Sequence, residues 1–166
     1  MSKPRAKRVQ TKIGNVFSVP LGDGTKKYFQ YVANDRTQLN SPVIRAFKRA
    51  YPAEAKPDLL EVVSDDVDFY AHVIIRWGIQ MNLWEKVGNV PFYGELNAVF
   101  RDATDLEYDK IEKSEKWQVW KVNQDFQFVG KLEGDLQKAE IGLVVAPPDI
   151  VSRMRTRKYL FRYPGY

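Results

Sequence analysis

Apolar and polar residues alternate through the first part of the chain with the two-residue period of half-buried strands. From Ile13 to Leu21, the side chains of Ile13, Phe17, Val19 and Leu21 fall on one face. Gly22-Asp23-Gly24 predicts a tight turn, since glycine and an Asp-Gly pair tolerate positive φ. Lys27 to Ala33 predict the return strand, with Phe29 and Tyr31 on one face and Tyr28 and Val32 on the other. Pro20 has no amide hydrogen to give to a ladder, which predicts that this hairpin lies at a sheet edge.

The period then changes. Ser41-Pro42 reads as a helix start, followed by Val43, Ala46, Phe47 and Ala50 at helical spacing, with Arg45, Lys48 and Arg49 on the wet side. Residues 51–58 read as a linker and 59–63 as a short strand. Val67, Phe69, Ala71, Val73 and Ile75 alternate with Asp68, Tyr70, His72 and Ile74 as a central strand. Ile79, Leu83 and Val87 predict a helix ending at Gly88, and the charged residues 101–116 an exposed loop. Residues 117–122 and 126–132 predict a second hairpin around Asn123-Gln124-Asp125. A strand over 139–145, a helix opened by Pro147-Pro148-Asp149 and a last strand over 158–166 complete the pattern. The expectation is an α+β fold, mainly antiparallel: a curved sheet or partial barrel with two or three short helices. Residues 1–10 are expected to be a mobile basic arm and 11–166 a single globular domain, with no internal repeat.

Composition narrows the chemistry. The chain has 166 residues, one histidine and no cysteine, so disulfides and thiolate reactions are excluded. No apolar run reaches the roughly 18 residues of a membrane helix, and the basic N-terminus lacks a signal peptide's apolar segment. A cytoplasmic protein with no membrane partner is expected. Charge is uneven: residues 1–49 hold 11 Lys/Arg against 2 Asp/Glu, residues 50–148 hold 10 against 18, and residues 149–166 hold 5 against 1. Such polarity steers charged partners toward one face.

Zinc needs three or four Cys, His or carboxylate ligands. A lone His72 on a strand face with Asp68 and Tyr70 reads instead as a hydrogen-bonded structural histidine. "GDGTKK" lacks the spacing of a phosphate loop and returns as a strand, so its glycines serve a turn. Asp65-Asp66 with Asp68 could gather Mg²⁺. A metal nuclease would add Glu-x-Lys after Pro57-Asp58, whereas Glu54-Ala55-Lys56 precedes it. No nucleophile elbow is present. The chain therefore reads as non-enzymatic, without catalytic residues, metal or cofactor. One binding reading is a nucleic-acid module. Lys3, Arg5, Lys7, Arg8 and Lys12 would follow phosphates, Tyr28, Phe29 and Tyr31 would stack, and Arg153, Arg155, Arg157 and Lys158 would extend the patch.

The stretch "KIGNVFSVPLGDGTKKYFQYV" resembles the opening of the immunity protein twenty-six family of bacterial polymorphic toxin systems. The matching positions are Lys12, Gly14, Asn15, Val16, Phe17, Val19, Pro20, Leu21, Asp23, Gly24, Tyr28 and Phe29. Asn15 stands where the family often has Asp. The resemblance implies a cytoplasmic, non-enzymatic inhibitor that binds and neutralises a cognate protein toxin, and it supplies no catalytic residue. Many toxins cut nucleic acid and carry basic active sites, so an acidic inhibitor surface would speed association. The candidate partner-binding residues are Asp102, Asp105, Glu107, Asp109 and Glu112, with Asp65, Asp66 and Asp68 as a second patch.

Overall fold

Strand β1 (Asn15–Pro20) and strand β2 (Thr25–Asp35) form the hairpin foreseen from their alternation, turning at Gly22 and Gly24, both at positive φ. The computed structural model of the chain describes residues 8–105 and 107–166. Strands β3 (Ser41–Phe47), β4 (Tyr51–Pro52), β5 (Val67–Val73), β6 (Glu85–Asn89) and β11 (Val144–Val145) complete the first sheet, in the order β11-β5-β3-β2-β1-β6 with β4 beside the start of β2. A second sheet runs β10 (Glu140–Ile141), β7 (Val99–Ala103), β8 (Trp117–Lys121), β9 (Gln127–Gly130). Helices α1 (Leu59–Val63), α2 (Ile75–Gln80) and α3 (Pro147–Thr156) are short. The fold is α+β with mainly β content, and neither sheet closes into a barrel. No described helix is long and apolar enough to cross a membrane.

The first sheet is covered on both faces, which explains most departures from the expected elements. One face carries Phe17, Phe29, Ile44, Phe69 and Ala71 against Ile75, Trp84, Ile150 and Met154, from and around α2 and α3. The other face is divided. Val16, Tyr28 and Phe47 pack on Val62 of α1, while Val32 and Val43 pack on Phe100 and Trp120 of the second sheet. Between them Arg45 Nε donates to Gln30 Oε1 at 2.9 Å, and Gln30 Nε2 donates to the Val90 carbonyl at 2.6 Å.

Residues 41–47 are therefore a strand, not the expected helix. Val43, Ile44, Ala46 and Phe47 are all buried because both faces of β3 are covered, and two-sided burial erases the alternation that marks a half-buried strand. The first hairpin is interior rather than at an edge: β6 pairs with β1 from Asn15 to Ser18, and Pro20 lies past that ladder where its missing N–H costs nothing. Residues 59–63 are helical because Asp58 caps them, accepting the Leu60 amide at 2.8 Å.

The helix expected over 79–88 starts earlier, at Ile75, and the chain then reverses through Asn82 at positive φ into β6. The reversal folds Trp84 back, so that its Nε1–H donates to the Ile75 carbonyl at 2.9 Å. Asp102, expected in a loop, sits on β7. The expected strand over 139–145 is split: β10 runs parallel to β7 in the second sheet and β11 parallel to β5 in the first. The last ten residues make no strand, only an isolated bridge between Lys113 and Gly165. Tyr159, Phe161 and Tyr163 alternate because an extended segment laid on the core shares the strand period without a ladder partner.

Gly142 marks the crossing between the sheets. A Cβ there would lie 2.0 Å from the Trp120 ring, which is buried against the first sheet. Gly142→Ala is expected to destabilise the protein by about 1–3 kcal/mol, the usual cost of overpacking, read as a lower urea midpoint with an unchanged m-value.

Candidate functional site

The most constrained polar group is Asp35, at the end of β2. It is 0% exposed. Its Oδ2 accepts the His72 Nε2–H and the Trp120 Nε1–H, each at 2.9 Å, and its Oδ1 accepts the amides of Gln38 and Asn123, each at 3.2 Å. Burial works to raise the carboxyl pKa, but the bonds from His72, Trp120, Asn123 and Gln38 outweigh it and hold the group below the ordinary range. His72 is also fully buried, and burial holds its imidazole below the ordinary pKa against the pull of Asp35. The pair is an ionised carboxylate and a neutral imidazole with its proton on Nε2. Nδ1 is buried without a hydrogen-bond partner, and the ring packs on Phe100 with centroids 4.2 Å apart. His72 is the hydrogen-bonded structural residue its position suggested. Sealed in the core, it offers no base to a ligand at the surface.

The eight candidate acidic residues differ in circumstance. Asp102 is partly buried and accepts the Tyr163 hydroxyl at 2.8 Å; burial raises its pKa. Asp105 accepts the Ser114 hydroxyl and lies 3.9 Å from Lys116 Nζ. Glu107 pairs with Lys110 at 2.9 Å, and Asp65 accepts the Arg49 amide at 2.7 Å. Asp68 borders a cleft with Lys48, Arg153 and Arg157. Asp66, Asp109 and Glu112 are exposed. Among the described residues no three His, Asp or Glu side chains gather as a metal site.

The hairpin aromatics offer no stacking surface. Tyr28 and Tyr31 are only 3% and 6% exposed and Phe29 is fully buried, so none offers a stacking face. They belong to the two cores flanking β2. Lys3, Arg5 and Lys7 lie outside the described residues. Arg8 and Lys12 are exposed, and Arg8 lines a shallow hollow with Arg76.

A different basic region does form. The C-terminal segment closes a cleft of about 540 Å³ against β7, β10 and α3. Arg153 Nη1 donates to Glu140 Oε2 at 2.8 Å and to the Tyr159 hydroxyl at 3.0 Å. Burial raises the pKa of Glu140, and burial pushes the Tyr159 phenol up to about 12, so the phenol stays neutral as a partner for Arg153. Arg157 and Lys158 line the cleft, as does Arg101, a residue the sequence pattern did not single out. The available signal was the basic, aromatic tail after residue 149.

Residues 12–114 match the family model described as Immunity protein 26, more than half of the chain. The chain belongs to that family. No curated protein and no solved structure matches it. The Immunity protein 26 segment contains both β1 and β2, Asp35, His72 and all eight candidate acidic residues. Trp120 and, Arg101 apart, the lining of the basic cleft lie beyond it.

The buried pair sets a pH dependence. His72 has a lowered folded pKa, so below about pH 6.5 the unfolded chain takes up a proton that the folded chain refuses. Stability is expected to fall from about pH 7 to about pH 5, by at most about 1.4 kcal/mol per pH unit. Asp35, also lowered, adds to the loss only below about pH 4. Urea unfolding across this range measures the slope. His72 is the single histidine, so His72→Gln should flatten it, and an unchanged slope would refute the assignment.

Proposed function

We propose that the chain is a bacterial immunity protein that binds a cognate protein toxin in the cytoplasm and neutralises it by covering a toxin surface, without turnover. The membership of residues 12–114 in the Immunity protein 26 family carries this reading. Two features support it. A sheet packed on both faces presents its exterior with little freedom to rearrange, which lowers the entropy cost of binding. The one imidazole is committed to Asp35 inside the core.

The proposed contact set is drawn from the candidate carboxylates that remain free to act outward. Asp66, Asp109 and Glu112 are exposed. Asp105 and Glu107 lie beside lysines of this chain and would contribute less, because a local ion pair leaves a weaker external field; Asp65 is engaged by the Arg49 amide. Asp68 faces a basic cleft, and Asp102 anchors Tyr163.

The test uses the protein encoded beside this one as the candidate toxin. The two are expected to form a stoichiometric complex that restores growth when they are co-expressed. Combined Asp66→Lys, Asp109→Lys and Glu112→Lys should leave the circular dichroism spectrum unchanged and slow association by about tenfold at low salt, with a smaller effect at high salt. An unaltered association rate would eliminate the acidic contact set. Absence of any complex would sink the inhibitor reading itself. Asp102→Ala is expected to act differently, lowering stability by about 1–3 kcal/mol through loss of the hydrogen bond that Asp102 accepts from Tyr163.

A further inference from the structure

The cleft beside α3 carries more positive charge than its own acids balance. Its lining holds six Lys or Arg side chains and a single acidic side chain, Glu140, which is taken by Arg153. Arg157, Lys158 and Arg162 are exposed, and none of them forms an ion pair among the described residues. A helix C-terminus favours cations in its last turn, which accounts for Arg153 and Arg155. It does not account for Arg162, which follows the helix, or for Arg101, which comes from the second sheet.

Arg101 is held in an unusual way. Its guanidinium lies over the rings of Trp117 and Tyr166, 5.4 and 5.5 Å from their centroids. Its Nη1 donates to the Ala139 carbonyl, yet its Nε–H is buried with no hydrogen-bond partner. A buried donor left unpaired in an otherwise satisfied site calls for a reason. Tyr166, 48% exposed, caps this stack at the cleft. A second cleft of about 310 Å³ adjoins the first through Arg153 and Arg157 and adds Lys48 and one carboxylate, Asp68. Together they form a trough lined by more cations than carboxylates, with the exposed Tyr166 ring in its wall.

We propose that this trough is a binding site for a nucleotide unit, with the phosphate held by Arg157, Lys158 and Arg162 and the base stacked on Tyr166. Cations alone would accept any anion. The exposed ring beside them selects an anion that also carries a planar face, the pairing of charged groove and aromatic platform that binds single-stranded nucleic acid. A free nucleotide and a unit within a single strand present the same chemistry. The inference does not rest on toxin binding, and it uses neither the basic arm nor the hairpin aromatics.

The test is fluorescence anisotropy on the full chain with a short labelled oligothymidylate, with AMP and an oligoglutamate peptide as competitors. Binding of the oligonucleotide is expected, weakening as salt rises. Arg157→Glu combined with Arg162→Glu should weaken it at least about tenfold, and Tyr166→Ala roughly tenfold through lost stacking. Lys121→Glu, an exposed charge on β8 outside the trough, should change nothing. These positions are exposed, so a circular dichroism spectrum identical to that of the parent separates lost binding from lost folding. Competition by AMP assigns the site to free nucleotide, and its failure to compete assigns it to a strand. No binding at low salt, binding indifferent to these substitutions, or equal competition by oligoglutamate would overturn the proposal.

Discussion

The buried carboxylate of Asp35 is the constraint on which the rest of the structure depends. A carboxylate in a protein interior is tolerated only when hydrogen bonds replace its lost hydration. Here the four donors come from separate places: His72 on β5, Trp120 on β8, and the amides of Gln38 and Asn123 in two loops. Satisfying one side chain therefore fixes the register between the two sheets as well as the path of both loops. Removing a donor would leave part of a charge unpaired in a low-dielectric setting, where networks gain or lose as a unit. His72 contributes its Nε2–H and accepts an orphaned Nδ1 as the cost of that geometry.

Trp120 transmits this constraint to the remainder of the chain. Its indole reaches Asp35 from the second sheet and packs beside Phe100 and Val43. The backbone passing over the ring must then come close, and only a residue without a side chain fits at 142. Gly142 lets the chain leave β10 in one sheet and enter β11 in the other within two residues. That crossing sets where α3 begins, and so where the C-terminal segment can turn back to place Tyr163 on Asp102 and Gly165 beside Lys113. A polar requirement at residue 35 thus reaches the last residues through aromatic packing and one glycine.

Local patterns in the sequence were legible where one local force dominates. The β1–β2 hairpin follows from alternation and a Gly-Asp-Gly turn, β5 from alternation alone, and α3 from its Pro-Pro-Asp start. Residues 41–47 were not, because a strand covered on both faces places Val43, Ala46 and Phe47 at the same positions a helix would. Residues 159–163 mislead the other way, alternating without a partner strand. Of the site, the structural role of a lone His72 could be read, but not its partner. Asp35 and His72 are 37 positions apart, and an acid closing a strand looks like any solvated turn. Only pairing of β2 with β3 and of β3 with β5 brings them together.

Charge teaches the same lesson about distance. Counted along the chain, the middle is acidic and the ends basic, which favours an acidic working surface. In space, the middle segment neutralises much of itself: Glu107 with Lys110, Asp105 near Lys116, and Glu115 with Lys131. Such exposed pairs are individually weak, but they cancel the field a partner would feel beyond the Debye length. The tail has less recourse, since its neighbours in sequence are also basic and the fold brings to it only Glu140, already engaged, and Asp68 at the edge of the adjoining cleft. Uncompensated charge therefore collects at the trough beside α3 rather than along the acidic loop. What counts for such a surface is which charges the fold leaves without a neighbour, more than how they are distributed along the chain.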